Sequence, residues 1–319
     1  MKPRLAIVIP CYNEEEVLPE TVRRLTILLE TMEADGRIAP KSRMILVDDG
    51  SADATWSLIE QYSKSVAMVM GVRLAGNSGH QNALMAGLNV AKNTRFDAIV
   101  SVDADLQDDI NAIPEMVDRF SEGCDIVYGV RKSRATDTAF KRNTALFFYT
   151  LMQWLGVKSV YNHADYRLMS LRAVTELCQY RERNLFLRGI VPLLGYRTAM
   201  VYYDRNARFA GESKYPLRKM LEFAVNGITS FSVKPVRMVL GMGFLFLFIA
   251  LCILVYVVHS LLEGTNVPGW ASLILSVWFV GGCILIGLGI VGEYVGKIYI
   301  EVKDRPRYNI EKTTDTNEN

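Results

Sequence analysis

The sequence is short of the features that announce the commonest chemistries. Its 36 basic and 34 acidic residues leave a net charge of only +2, so no excess of positive charge recommends a nucleic-acid partner. Neither GxxxxGK[ST] nor GxGxxG occurs, which excludes a phosphate loop and a dinucleotide fingerprint. The five cysteines, Cys11, Cys124, Cys178, Cys252 and Cys283, show no CxxC or metal-ligand spacing. They read as reduced thiols in cores and apolar helices, which fits a cytoplasmic active domain. Of the three histidines, His80 lacks nearby partners for a metal role, and His259 reads as a packing residue in an apolar stretch. His163 reads as either peripheral or pocket-lining. Met1-Lys2-Pro3-Arg4 leads into a short apolar run and then a proline, so no signal peptide is expected.

Half of the 319 residues are hydrophobic, and they are unevenly placed. The chain after Pro235 is far more apolar than the chain before it. Residues 239–262 and 270–291 each reach the length of about 20 apolar residues that a helix needs to cross a bilayer. The connector Glu263–Gly269 has no Lys or Arg, whereas Lys234 and Arg237 flank the first span and Lys297, Lys303, Arg305 and Arg307 follow the second. The positive-inside rule therefore places both ends of the hairpin, and the domain before it, on the cytoplasmic side of the inner membrane. Glu293 stands one helical turn before Lys297 and can pair with it. The expected organisation is a domain over 1–215, an amphipathic helix over 216–234, a transmembrane hairpin over 235–296 and a tail over 297–319. The tail, polar after Tyr308, reads as disordered. A second basic, aromatic-rich segment over about 137–156 has the pattern of a helix lying in a membrane interface.

The first domain alternates strands and helices. Leu5–Ile9 reads as a buried strand closed by Pro10, with Asn13 capping the helix that begins in Glu14-Glu15-Glu16. Met44–Val47 and Val66–Leu74 are the next strands, each followed by a helix, and Ala98–Val102 is the fourth. The alternation predicts a doubly wound, mostly parallel α/β sheet. Its turns carry acids: Tyr12-Asn13-Glu14, Asp48-Asp49 and Asp103-Ala104-Asp105-Leu106-Gln107-Asp108 all follow strands. They are expected to meet at the carboxyl edge, where open sheets bind ligands. Singly, each also reads as a cap or a turn former. Together they suggest a nucleotide pocket in which Asp103, Asp105 and Gln107 offer hard oxygen ligands to Mg²⁺ or Mn²⁺.

These residues, with Asn77-x-Gly79-His80, resemble glycosyltransferase family 2. Asp165-Tyr166-Arg167-Leu168, Arg208-x-x-Gly211-Glu212-Ser213-Lys214-Tyr215 and Gly292–Tyr299 narrow the resemblance to the polyprenyl-phosphate glycosyltransferases. Members often read DADLQDPP, where this chain has Asp108-Asp109-Ile110. The QxxRW motif of processive polysaccharide synthases is absent.

The resemblance implies a GT-A-type fold and inverting transfer of one sugar from a nucleotide-sugar to a polyprenyl phosphate such as undecaprenyl phosphate. UDP-glucose is the first donor it suggests; GDP-mannose and other nucleotide-sugars stay open. It assigns donor binding to Pro10, Tyr12, Asn13, Glu14, Asp48, Asp49, Gly79, Asp103 and Ala104, and metal binding to Asp103, Asp105 and Gln107. Catalysis falls to Asp105, Asp165 and Arg131, and the acceptor phosphate to Arg131, Arg205, Ser213 and Lys214. Asp165 is also readable as a structural partner of Arg167. A homo-oligomer is implied too. The readings from other classes are a transferase with another lipid or a protein as acceptor, and an inactive membrane scaffold that keeps the fold.

Overall fold

The computed structural model describes residues 2–132, 163–183, 185–204, 234–262 and 269–314. The expected interfacial segments over 137–156 and 216–233, and Arg205, Ser213 and Lys214, lie outside the described residues.

Four strands alternate with helices in the first third of the chain: β1 (Leu5–Cys11), α1 (Leu18–Ala34), β2 (Arg43–Asp48), α2 (Thr55–Ser65), β3 (Val69–Leu74), α3 (His80–Asn93) and β4 (Ala98–Ser101). They are followed by α4 (Ile113–Ser121), β5 (Ile126–Arg131), β6 (His163–Ser170), α5 (Leu171–Leu177), the short α6 (Leu187–Ile190) and β7 (Thr198–Tyr203). Two long helices, α7 (Lys234–Leu262) and α8 (Trp270–Val302), precede a last strand, β8 (Ile310–Thr313). The strands form one sheet in the order β7-β5-β6-β4-β1-β2-β3-β8. Only β6 and β8 run against the rest, so the sheet is mixed and mostly parallel, as expected.

Every residue of β1 is buried, because helices cover both faces of the sheet. Leu5, Ile7 and Ile9 face a layer holding Leu18 and Leu25 of α1, Ile59 of α2 and Met116 of α4. Ala6 and Val8 face the other layer, with Ala83, Leu84 and Leu88 of α3 and Val174 of α5. Each such Leu or Ile contributes roughly 1.5–3 kcal/mol by leaving water. On α3, Gly87 lets the helix settle onto the sheet: a Cβ there would stand 2.3 Å from Val8 Cγ1.

Three expectations are corrected. Pro10 does not end its ladder, since Pro10 pairs with Val47 and Cys11 with Asp48. The Val8 carbonyl accepts from Val102 N on the β4 side, and the Cys11 carbonyl accepts from Asp49 N on the β2 side. Alternation then turns the missing Pro10 N–H toward β4, where pairing has already stopped. Asn13 does not cap α1; the cap position is Val17, and Pro19 lies in the first turn. Finally, the tail after Tyr308 forms β8, paired antiparallel to β3. All four residues of β8 are exposed, so no hydrophobic alternation marked it as a strand; backbone pairing and Thr314 hold it.

Within α7 and α8, Val236–Ile253 has a mean hydropathy of 2.4 and Phe279–Val302 one of 1.8, long and apolar enough to cross a membrane. The helices touch through an edge-to-face pair, Phe246 and Phe279, with ring centroids 5.7 Å apart.

Candidate active site

The carboxyl ends of β1 to β5 and the start of β6 share one edge of the sheet. The loops there are laced together. Asn13, held in the left-handed region at φ +54°, donates its backbone N–H to Ser51 Oγ at 3.0 Å and accepts from Ala52 N through Oδ1 at 2.9 Å. Glu14 N donates to Thr55 Oγ1 at 2.9 Å. The Asp49 carboxylate then joins this pair of loops to the start of α3, accepting from Ser78 N at 2.7 Å and Gly79 N at 2.9 Å. Asp48 accepts from Ser51 N at 3.2 Å, and both aspartates are buried. Burial raises the pKa of each, against these hydrogen bonds.

The expected convergence is therefore present, but its members do different work. Tyr12 is 45% exposed at the mouth, and a Cβ on Gly79, at φ +89°, would meet open space. Pro10 and Ala104 are buried and turn their side chains into the core, so only their backbone is available. The Ala104 carbonyl accepts from Thr21 Oγ1 at 2.8 Å.

Exposure alternates along Val102–Asp108. Asp103, Asp105 and Gln107 are partly exposed, while Val102, Ala104, Leu106 and Asp108 are buried. The three expected metal ligands thus share the open side. Leu106 has φ +56°, an unfavourable backbone for a bulky side chain and of a kind that clusters at functional sites. Gln107 N donates to Asp105 Oδ1 at 3.1 Å. His80 Nε2 stands 3.5 Å from Asp103 Oδ1. Withdrawal from water and the charges of Asp108, Asp165 and Asp105 push the Asp103 pKa up to about 6, against the pull of His80.

Two of these carboxylates are already matched. Asp165 accepts from Arg167 Nη2 at 2.7 Å and from Arg188 Nη2 at 3.1 Å. Burial alone would raise its pKa, but Arg188 and Arg167 hold it well below the usual carboxylate range. Asp108 accepts from Tyr203 Oη at 2.5 Å and from Arg131 Nη2 at 3.2 Å. Arg131 Nε in turn lies 3.3 Å from Tyr203 Oη, and Tyr166 packs edge-on against Tyr203 at 5.2 Å. Burial works against the Arg131 charge, and Asp108 more than restores it.

Asp103 and Asp105 are the partly exposed carboxylates at the end of β4. Among the described residues no three His, Cys, Asp or Glu side chains converge on one point. Asp103, Asp105 and Gln107 fit an oxygen-ligated divalent ion that takes its remaining ligands from water and phosphate. Raised basicity at Asp103 is what crowded carboxylates show where a cation would relieve them.

Three residues had not been singled out. Arg188 enters from α6, and its local sequence Phe186-Leu187-Arg188-Gly189 carries no chemical signature. Tyr203 ends a strand whose apolar pattern hides its hydroxyl. Asp108 belongs to the acidic motif, yet its burial and pairing with Arg131 depend on β5 and β7 lying side by side.

Residues 6–178 match the family model described as glycosyl transferase family 2. The uncharacterized glycosyltransferase YkoT of Bacillus subtilis (strain 168) is 55% identical over 311 residues, covering 97% of this chain and 92% of the relative. The SfII prophage-derived bactoprenol glucosyl transferase of Shigella flexneri is 38% identical over 316 residues, covering 97% and 98%. Among solved structures, glucosyl-3-phosphoglycerate synthase from Mycobacterium tuberculosis superposes with a TM-score of 0.46 at 18% identity, covering 72% of this chain and 79% of that one. A sheet that gathers acid-bearing turns at one edge, in a chain whose likeness to such relatives runs nearly end to end, makes this protein a glycosyltransferase of family 2, with the GT-A-type fold.

Proposed function

We propose that the chain transfers one sugar, glucose from UDP-glucose, to the phosphate of a polyprenyl phosphate such as undecaprenyl phosphate, with inversion at the anomeric carbon. The observation that carries this reading is the combination, in one chain, of the open Asp103–Asp105 edge with two helices apolar enough to cross a membrane. Relatives named bactoprenol glucosyl transferase, 37–38% identical over nearly the whole chain, support the acceptor and the sugar.

An acceptor phosphate oxygen would bond to the anomeric carbon as the bond from that carbon to the nucleoside diphosphate breaks. The second pKa of a phosphate monoester is about 6, so the nucleophile is already largely ionised at neutral pH. A strong general base is not required, and Asp165, bound by two arginines, is a holder of cations. Asp103, Asp105 and Gln107 would hold a Mg²⁺ or Mn²⁺ ion, which supplies Lewis-acid stabilisation of the leaving diphosphate. Arg131, aimed by Asp108 and Tyr203, offsets the repulsion between the two phosphate-bearing substrates. Arg205, Ser213 and Lys214 complete the proposed acceptor site. Tyr12, Asn13, Glu14 and Gly79 line the proposed nucleotide end, and the buried Asp48 and Asp49 shape it through Ser51 and the start of α3.

The test is transfer of labelled sugar into the lipid phase by purified protein with undecaprenyl phosphate and Mg²⁺, one nucleotide-sugar at a time. Transfer from UDP-glucose, abolished by EDTA and by Asp105→Ala, is expected. Transfer from another donor would refute the sugar, and none from any donor would refute the acceptor.

A further inference from the structure

Asp165 is met by more positive charge than a buried carboxylate needs. Arg167, with a side chain only 1% exposed, already pairs with it at 2.7 Å and is enclosed in the core. A second guanidinium, from Arg188, reaches the other carboxylate oxygen at 3.1 Å and keeps 35% of its side chain exposed. One arginine is enclosed with the acid, and the other is aligned by it while a third of its side chain stays accessible.

The alignment is rigid. Arg188 sits on α6, whose Leu187 and Ile190 are buried. Leu187 N is fixed by Gln81 Oε1 at 2.8 Å, which ties α6 to the helix that starts at His80. Asp165 lies at the edge that carries Asp103, since its carbonyl accepts from Ser101 Oγ at the end of β4. A planar guanidinium held by a carboxylate on one side is pre-organised to grip a phosphate on the other.

We propose that Arg188 binds a phosphate oxygen of the substrates, with Asp165 as its positioning residue. The proposal deepens the transfer reading and rests on it, because that reading brings a diphosphate and a phosphate to this edge. Either substrate can supply the oxygen, so the test has two arms: calorimetric binding of UDP with Mn²⁺, and the KM for undecaprenyl phosphate at saturating donor.

Arg188→Gln is expected to weaken one arm by about tenfold or more, the scale of one charge-assisted hydrogen bond, with Arg188→Lys recovering part of the loss. The arm that moves names the phosphate. Asp165→Asn, which releases the guanidinium, should weaken the same arm. Unchanged UDP affinity and unchanged KM in folded Arg188→Gln would overturn the proposal. If that variant does not fold, Arg188→Lys carries the test, since it keeps the charge and loses the fork; no change on either arm would again overturn it. Failure of wild type to load the lipid counts against the transfer reading instead. The UDP arm then decides alone, and an unchanged affinity there overturns the role of Arg188.

Discussion

Asp165 and Arg167 show how a single substitution should separate structure from chemistry. Replacing a buried carboxylate by an amide leaves the enclosed Arg167 charge without its counter-ion. Asp165→Asn is therefore expected to cost about 3–5 kcal/mol in denaturant unfolding near neutral pH. The pH dependence has a definite sign. A carboxylate whose folded pKa is depressed stabilises the fold above its unfolded pKa, about 3.9, and loses that contribution as pH falls toward the folded value. The wild-type advantage over Asp165→Asn should thus be complete at neutral pH and shrink below about pH 4. An advantage that stayed constant down to pH 2 would show that the ion pair contributes nothing. Tyr203→Phe tests the neighbouring cluster. It removes the donor to Asp108 and one partner of Arg131, so stability should fall by about 1–3 kcal/mol. Transfer should fall further, because Arg131 loses part of what aims it. Activity falling only in step with folded fraction would argue against that aiming role.

Among the elements, β8 depends most on its surroundings. It returns to the sheet from beyond α8 and covers the edge of β3. Thr314 Oγ1 accepts from Gly71 N at 2.8 Å, Thr314 N donates to Gly71 O, and Ala75 N donates to Asn309 O. On the way, Glu301 accepts from Arg183 N at 2.8 Å, and Arg307 Nη2 donates to Tyr180 O at 2.6 Å. Truncation after Tyr308 should expose the β3 edge, lowering the melting temperature and promoting aggregation in detergent. Gly71→Ala should also destabilise, because its Cβ would stand 2.5 Å from Ile59 Cγ2 and 3.0 Å from Thr314 Cγ2. The overpacking is expected to cost about 1–3 kcal/mol, read as a shift in the denaturation midpoint. The same strand marks where sequence reasoning stops. The strands β1 to β4 were legible because burial on both faces leaves unbroken apolar runs. The Asp103–Asp105 pair was legible because it follows such a run. Strand β8 was not, because an exposed edge strand needs only backbone groups, which every residue has. Arg188 was hidden for a related reason, since its importance lies in its distance from Asp165, twenty-three positions away in the chain.

For the whole molecule, the sheet constrains the membrane path. Strands β1 to β7 and β8 are hydrogen-bonded into one sheet, so the chain before α7 and the chain after α8 must lie on the same side of any membrane it crosses. The number of crossings between β7 and β8 is therefore even, which a hairpin of α7 and α8 satisfies. Helix α8 has 33 residues, roughly 50 Å at 1.5 Å per residue, and a hydrocarbon core is about 30 Å thick. One end must project beyond the apolar layer. The contact of Glu301 with Arg183 puts that end beside the catalytic domain. The basic residues Lys303, Arg305 and Arg307 around that end favour the cytoplasmic face. Cysteines placed one at a time, with Cys252 and Cys283 replaced, test this arrangement in intact cells. Asn266→Cys, in the connector, should react with a membrane-impermeant maleimide from outside. Asp304→Cys should react only after permeabilisation. Labelling of both from outside would place the catalytic edge away from cytoplasmic nucleotide-sugars and defeat the proposed reaction, whereas labelling of neither would mean that the hairpin does not cross.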